Sequence, residues 1–158
     1  MKIRTDYVTN SSSSSFIVGF TDENNIEQSL RNELYLKSRF DRVLNDVKKS
    51  RITKEEALRI FKDEIYWDAR YDIEHQYELK LGWNGWRDLR DWLEKPENKA
   101  EYDKAINEKI DVCLEEFKQE IEGLGYLALV EYDDHCDDDL EHKIMPRLNC
   151  TIQRFSHH

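Results

Sequence analysis

The chain is 158 residues long, with 34 acidic and 24 basic residues for a formal net charge of −10; it is 37% charged and 39% hydrophobic. That length suits one domain with a real core, but its helices must carry heavily charged outer faces. The negative charge argues against direct binding to nucleic-acid phosphates and against docking on an anionic membrane, both of which need a positive face, and leaves room for a basic protein partner.

The N-terminal MKIRTDYV is too polar for a secretory signal, and no apolar run approaches the ~20 residues of a membrane-crossing helix. Ile3, Thr5 and Tyr7 alternate with Lys2, Arg4 and Asp6, which predicts a half-buried strand over residues 2–8. Five serines follow, Ser11, Ser12, Ser13, Ser14 and Ser15. Phe16, Val18 and Phe20 then alternate with Ile17 and Gly19, a second strand over 16–20 that is apolar on both faces and so belongs at the centre of a sheet.

A helical region is predicted over 22–122. Thr21 can cap its start; Ile26, Leu30 and Leu34 form a first stripe, and Leu36, Phe40, Val43, Leu44 and Val47 continue or restart it. Thr53 with Glu56 three residues on is a capping box, followed by a 3.6-residue stripe through Phe61, Ile65, Ala69, Ile73 and Tyr77. LGWNGW breaks this helix; a short helix follows with Trp86, Leu89 and Trp92, and Trp83, Trp86 and Trp92 read as core, with an exposed aromatic patch for a partner as the alternative. His75 falls on the polar side and reads as a surface residue. Tyr102, Ile106, Ile110, Cys113, Phe117 and Ile121 line one face of the clearest helix, with Gly123 placed as its stop.

Strands return over 126–132 and 150–155, with a helical turn predicted around Leu140 to Met145. The expected architecture is a single α+β domain over 1–158, with a small sheet built from the N- and C-terminal strands and packed against the helical insert. Cys113, Cys136 and Cys150 are odd in number and lack C-x-x-C spacing, which predicts free thiols in a reducing, cytoplasmic setting.

Three stretches hold chemistry-bearing residues. In EYDDHCDDDLEH, residues 131–142, seven of twelve residues are Asp or Glu, with His135, Cys136 and His142 among them. Carboxylates this dense repel one another, and a divalent cation would relieve the repulsion. The spacing fits neither an EF-hand, whose loop glycine is missing, nor H-E-x-x-H, and a solvated acidic loop is the plainer reading. The second stretch is the terminal FSHH, where His157 and His158 are metal-ligand types. The third is the serine run, which reads as a structured turn whose hydroxyls and amides can hold an anion or ligand. It has neither the Gly and Lys of a P-loop nor a G-x-S-x-G or S-x-x-K nucleophile motif.

Topology decides whether these stretches meet. If strand 150–155 runs antiparallel to 16–20, and strand 126–132 runs in the same direction as 150–155, then Asp133, Asp134 and His135 arrive beside the serines and the terminal histidines. A hairpin of the last two strands would separate them.

KIRTDYVTNSSSSSFIV, the VEYDD and LEH pair and the terminal SHH together resemble a loose family of uncharacterised small bacterial and mobile-element-borne proteins, in which TNSSSSSF opens the chain and SHH closes it. The resemblance covers about the first twenty and the last thirty residues and brings no established activity. It implies that the serines and the terminal histidines are native. Where those relatives have a serine between tyrosine and aspartate, this chain has Asp133, so a role for that serine does not carry over.

Two functional readings follow. One is a non-enzymatic acidic interaction protein whose partner is another protein, one with a basic groove; a concrete form is a phage or mobile-element inhibitor of nucleic-acid-handling defence machinery, such as an anti-CRISPR. The alternative is a metal-binding protein or metal-dependent hydrolase, in which Asp133, His135, His142, His157 and His158 hold a divalent metal and the serines contact substrate. The first reading needs no cofactor.

Overall fold

The structure is a computed structural model, and it describes residues 13–33, 36–82 and 86–157. The predicted strand over 2–8, Ser11, Ser12, Trp83 and His158 lie outside these residues. The chain divides into two compact units, one formed by Met1–Ala57 with Gly123–His158 and the other by Leu58–Glu122.

The first unit holds a four-stranded sheet in the order β2-β3-β1-β4, built from β1 (Ser13–Phe20), β2 (Arg51–Ile52), β3 (Tyr126–Asp133) and β4 (Thr151–His157). Every pairing is antiparallel. The α+β class and the sheet of N- and C-terminal strands are therefore as the sequence implies. β1 lies between β3 and β4, so those two strands run in one direction without touching, and both directional conditions for bringing the chain ends together hold. Ser13 sits opposite Asp133 on one side and His157 on the other.

Alternation along β1 and β3 fixes the core of this unit. Phe16, Val18 and Phe20 share a face with Val130, Ala128 and Tyr126. These side chains pack in one cluster with Ile26 and Leu30 of α1 (Ile26–Arg31), Val43 and Val47 of α2 (Phe40–Lys49), and Leu140, Ile144 and Met145. Ile17 and Leu127 are buried on the opposite face, which makes β1 the doubly covered strand its sequence predicts. Cys150 joins the cluster, and desolvation pushes its thiol up to about 12, so it behaves as a small core hydrophobe.

The serine run corrects the expectation of a turn. Ser13, Ser14 and Ser15 are the first residues of β1, three residues earlier than the apolar alternation marks. Pairing on both sides accounts for this, because their amides and carbonyls have strand partners in β3 and β4. β4 likewise starts one residue later than predicted and runs on to His157.

The second unit is helical. α3 (Lys54–Leu81) begins with the expected capping box: the Glu56 amide donates to Thr53 Oγ1 at 3.1 Å, and the Thr53 amide donates to Glu56 Oε2 at 2.8 Å. It ends at Gly82, whose φ of +66° is the left-handed cap that favours glycine. Ala69, Ile73 and Tyr77 of α3 pack with Leu89 of α4 (Trp86–Leu93) and with Tyr102, Ile106 and Ile110 of α5 (Pro96–Ile121). Trp92, expected in the core, is partly buried and packs against this cluster from its border. Phe61 and Phe117 stack face to face at 4.2 Å. Two phenols tie the helices together: Tyr102 donates to Glu74 at 2.7 Å and Tyr77 to Glu101 at 2.9 Å.

The chain enters β3 at Gly125, whose amide donates to the carbonyls of Phe20 (3.1 Å) and Thr21 (3.0 Å). A Cβ on Gly125 would lie 2.5 Å from the Thr21 carbonyl oxygen, a backbone atom that cannot swing aside, whereas a Cβ on Gly123 meets nothing within 4 Å. Gly125→Ala should therefore lower the free energy of unfolding by about 2 kcal/mol in equilibrium urea denaturation, and Gly123→Ala should change it by less than about 0.5 kcal/mol. Equal effects at the two positions would contradict this packing.

Candidate functional site

The sheet end where the predicted site residues converge is built from three elements. β1 supplies Ser14 on the helix-covered face, and β4 supplies Arg154, opposite Phe16 in register. The third element follows β3: α6 (Asp134–Asp138) runs into a π-helix (Asp139–Ile144) that carries Glu141 and His142. π-Turns are rare and concentrate at functional sites; here the wider turn accompanies burial of Leu140, Glu141 and Ile144.

Ser14 and Glu141 are both fully buried. Ser14 Oγ donates to Glu141 Oε1 at 2.7 Å and accepts from Arg154 Nε at 3.2 Å and Nη2 at 3.1 Å. The guanidinium lies 3.7 Å from Glu141 Oε1, 3.3 Å from His142 Nδ1 and over the ring of Phe16. His142 Nε2 is 3.8 Å from Glu141 Oε2, which has no hydrogen-bond partner among the described residues. A hydroxyl aligned on a carboxylate is the geometry of an activated nucleophile. With Ser14 fully buried, no electrophile reaches Oγ, and the arrangement acts as a tie between β1, β4 and the π-helix. Among the described residues, clefts open elsewhere in this unit, including one of about 380 Å³ beside Arg51, Lys54 and Gly125 and one of about 510 Å³ beside Arg31 and Phe40, neither of them lined by Ser14 or a histidine.

The acid-rich segment is folded and paired. Arg39 and Arg42, three residues apart at the start of α2, reach across to it. Arg39 donates to Asp139 through Nε (2.8 Å) and Nη2 (3.0 Å), and this hydrogen-bonded cation holds the Asp139 carboxyl below the usual carboxylate range. Arg42 Nη2 donates to Asp137 Oδ2 at 2.6 Å. Asp137 Oδ1 also faces Arg42 in an ion pair, although it receives no well-aligned hydrogen bond. Tyr132 donates to Asp46 at 3.2 Å beneath Arg42, and burial, with Asp46 beside it, pushes its phenol well above the usual range. Lys143 pairs with Asp138 at 3.2 Å in the open.

The five predicted metal ligands take separate roles where the structure describes them. Asp133 caps α6, accepting from the Cys136 amide at 2.8 Å. His135 is exposed, His142 lies against Arg154, and the backbone of His157 pairs with Ser13. Among the described residues, no group of three or more His, Cys, Asp and Glu side chains is placed to hold a metal ion. On the opposite sheet face, Ser13 donates to Glu131 at 3.3 Å.

A second candidate surface lies in the helical unit, on the polar side of α3 where the sequence places His75. Trp67 is 59% exposed, Tyr71 71% and Leu79 73%, all on α3. The signal for it is present in the sequence, because Trp67, Tyr71, His75 and Leu79 repeat at four-residue spacing on the side away from the Ile65–Ala69–Ile73 stripe.

No family model matches the chain, and no curated protein or solved structure matches it.

Asp137 is 5% exposed and Arg42 45%, so removing the arginine strands a buried charge. Arg42→Ala should cost about 1–3 kcal/mol in urea denaturation, the upper part of the buried-pair range being discounted for the half-exposed partner. Lys143→Ala, which breaks only an exposed pair, should cost under about 0.5 kcal/mol. Equal small effects would mean that the segment is solvated rather than docked.

Proposed function

We propose that the protein is a non-enzymatic interaction module that offers an acidic helical surface to a basic protein partner. The observation that carries this reading is the unequal fate of the acids in the two units. In the sheet unit the buried carboxylates Asp137 and Glu141 are neutralised internally by Arg42 and Arg154, and the half-exposed Asp139 pairs with Arg39. The helical unit, residues 58–122, holds 18 Asp and Glu against 11 Lys and Arg, a net −7 of the chain's −10. Its carboxylates line long helices whose buried positions are apolar, so the surplus charge faces solvent and sets up a negative field.

A concrete form is an inhibitor carried by a phage or mobile element, an anti-CRISPR for example, that occupies the basic groove of a nucleic-acid-handling defence protein. The charge and the resemblance at the chain ends support it. Less supports a metal-binding protein or metal-dependent hydrolase, since Asp133 caps a helix and His142 faces a guanidinium.

The test is binding of the intact chain to a nucleic-acid-binding protein with a basic groove, measured by biolayer interferometry with and without competing duplex DNA. The expected result is binding that the DNA displaces and that weakens about tenfold between 50 and 300 mM NaCl. Binding indifferent to both salt and DNA would contradict groove occupation.

A further inference from the structure

The helix α3 is apolar on two sides. Its first stripe is buried within the helical unit through Ala69, Ile73 and Tyr77. The second, Trp67–Tyr71–His75–Leu79, advances one residue per four, each step turning about 40° around the axis, and so forms a continuous ridge of the kind that packs into the groove of another helix. It stands in solvent along its length. Together with Tyr66 it exposes on the order of 400 Å² of mostly apolar surface, within the size range of the largest patch on a monomer, which is often functional.

The ridge is ordered before any partner arrives. The edge of Tyr66 meets Trp67 at 5.4 Å, Arg70 lies over the Trp67 ring at 5.5 Å, and Tyr71 stacks parallel to His75 at 6.5 Å. Rings held this way lose little side-chain freedom on binding. Carboxylates flank the ridge: Asp63 and Asp68 are exposed, Glu78 sits 3.7 Å from His75, and Asp72 sits 3.3 Å from Lys109.

We infer that this ridge is the docking face for a Lys/Arg-rich amphipathic helix of a partner protein. The inference rests on the acidic-interaction reading and names both its surface and its partner's chemistry. Charge complementarity selects the occupant. A second copy of the chain would bring Asp63, Asp68 and the net −7 of the helical unit against themselves, which costs association free energy, as would an anionic lipid surface. A helix with an apolar row between basic flanks meets the ridge and the carboxylates together, and its guanidinium groups suit the exposed aromatic faces. The area is below the ~800 Å² per side of a standard interface, so this contact alone gives a Kd on the order of 10 μM.

The experiment uses the full chain and a fluorescein-labelled 20-residue helical peptide, with leucines in one i, i+4 row and Arg/Lys flanks, read by fluorescence anisotropy. A peptide with Glu in place of Arg and Lys is the control. The basic peptide should bind and the acidic one should not, and the Trp67→Ala/Tyr71→Ala double variant should weaken binding at least tenfold with unchanged helicity and urea midpoint. Should the double variant lose helicity, Tyr71→Ala alone, at the most exposed of the rings, should weaken binding several-fold. Equal binding by wild type and variant would overturn the ridge while leaving an acidic interaction surface standing. Absence of binding by any form would overturn the ridge and the basic-partner reading together. Self-association in sedimentation velocity that Trp67→Ala/Tyr71→Ala abolishes would assign the ridge to a second copy and overturn the proposed occupant.

Discussion

Glu141 is a carboxylate with no exposed surface, so it must be neutralised where it lies. Ser14 and Arg154 do this from two neighbouring strands, and His142 stands beside its second oxygen. The rest of the sheet unit follows from that constraint. Ser14 can meet Glu141 only if β1 starts within the serine run, and Arg154 can reach both only if β4 pairs with β1 in the register that sets Arg154 opposite Phe16. The π-helix must then lie over the end of the sheet, which brings Asp137 and Asp139 to the arginines of α2. Serine suits the role because its small hydroxyl both donates to the carboxylate and accepts from the guanidinium.

The same physics assigns the two units different work. A buried carboxylate needs a specific partner, so the acids of the sheet unit specify structure. An exposed carboxylate needs none, and the surplus acids of the helical unit leave it with a net negative field. For the basic partner helix proposed above, the aromatic ridge on α3 would add what charge alone lacks, a desolvated contact with a defined direction. Trp and Tyr supply large, stiff contact area, and Asp63 and Asp68 beside them favour a cationic partner.

Much of the fold is legible in the sequence wherever local pattern and tertiary demand agree. The stretch from Tyr126 to Tyr132 is a nearly continuous apolar run that reads as a buried strand and is one; Thr53 and Glu56 spell a capping box and form it. The serines are not legible, because serine is a turn former whose strand state here depends on partners more than a hundred residues away in β3 and β4. Nor is the docking of the acidic segment, since Arg39 and Arg42 stand 100 and 95 residues before the aspartates they hold. Seven acids in twelve residues read as a solvated loop or a cation site until those arginines are placed. The ridge on α3 is a different case. Its four-residue spacing is visible in the sequence, but a stronger apolar stripe on the same helix draws the eye first, and only exposure separates the two.

The most direct test of this account is a double-mutant cycle on the buried tie, with Ser14→Ala and Glu141→Gln made singly and together and read by urea denaturation. The two residues are predicted to couple by about 1–3 kcal/mol, because each single change leaves the other's polar group buried with a lost partner. Losses that add within about 0.3 kcal/mol would show that the two side chains act independently. That result would contradict the claim that their contact fixes where β1 begins.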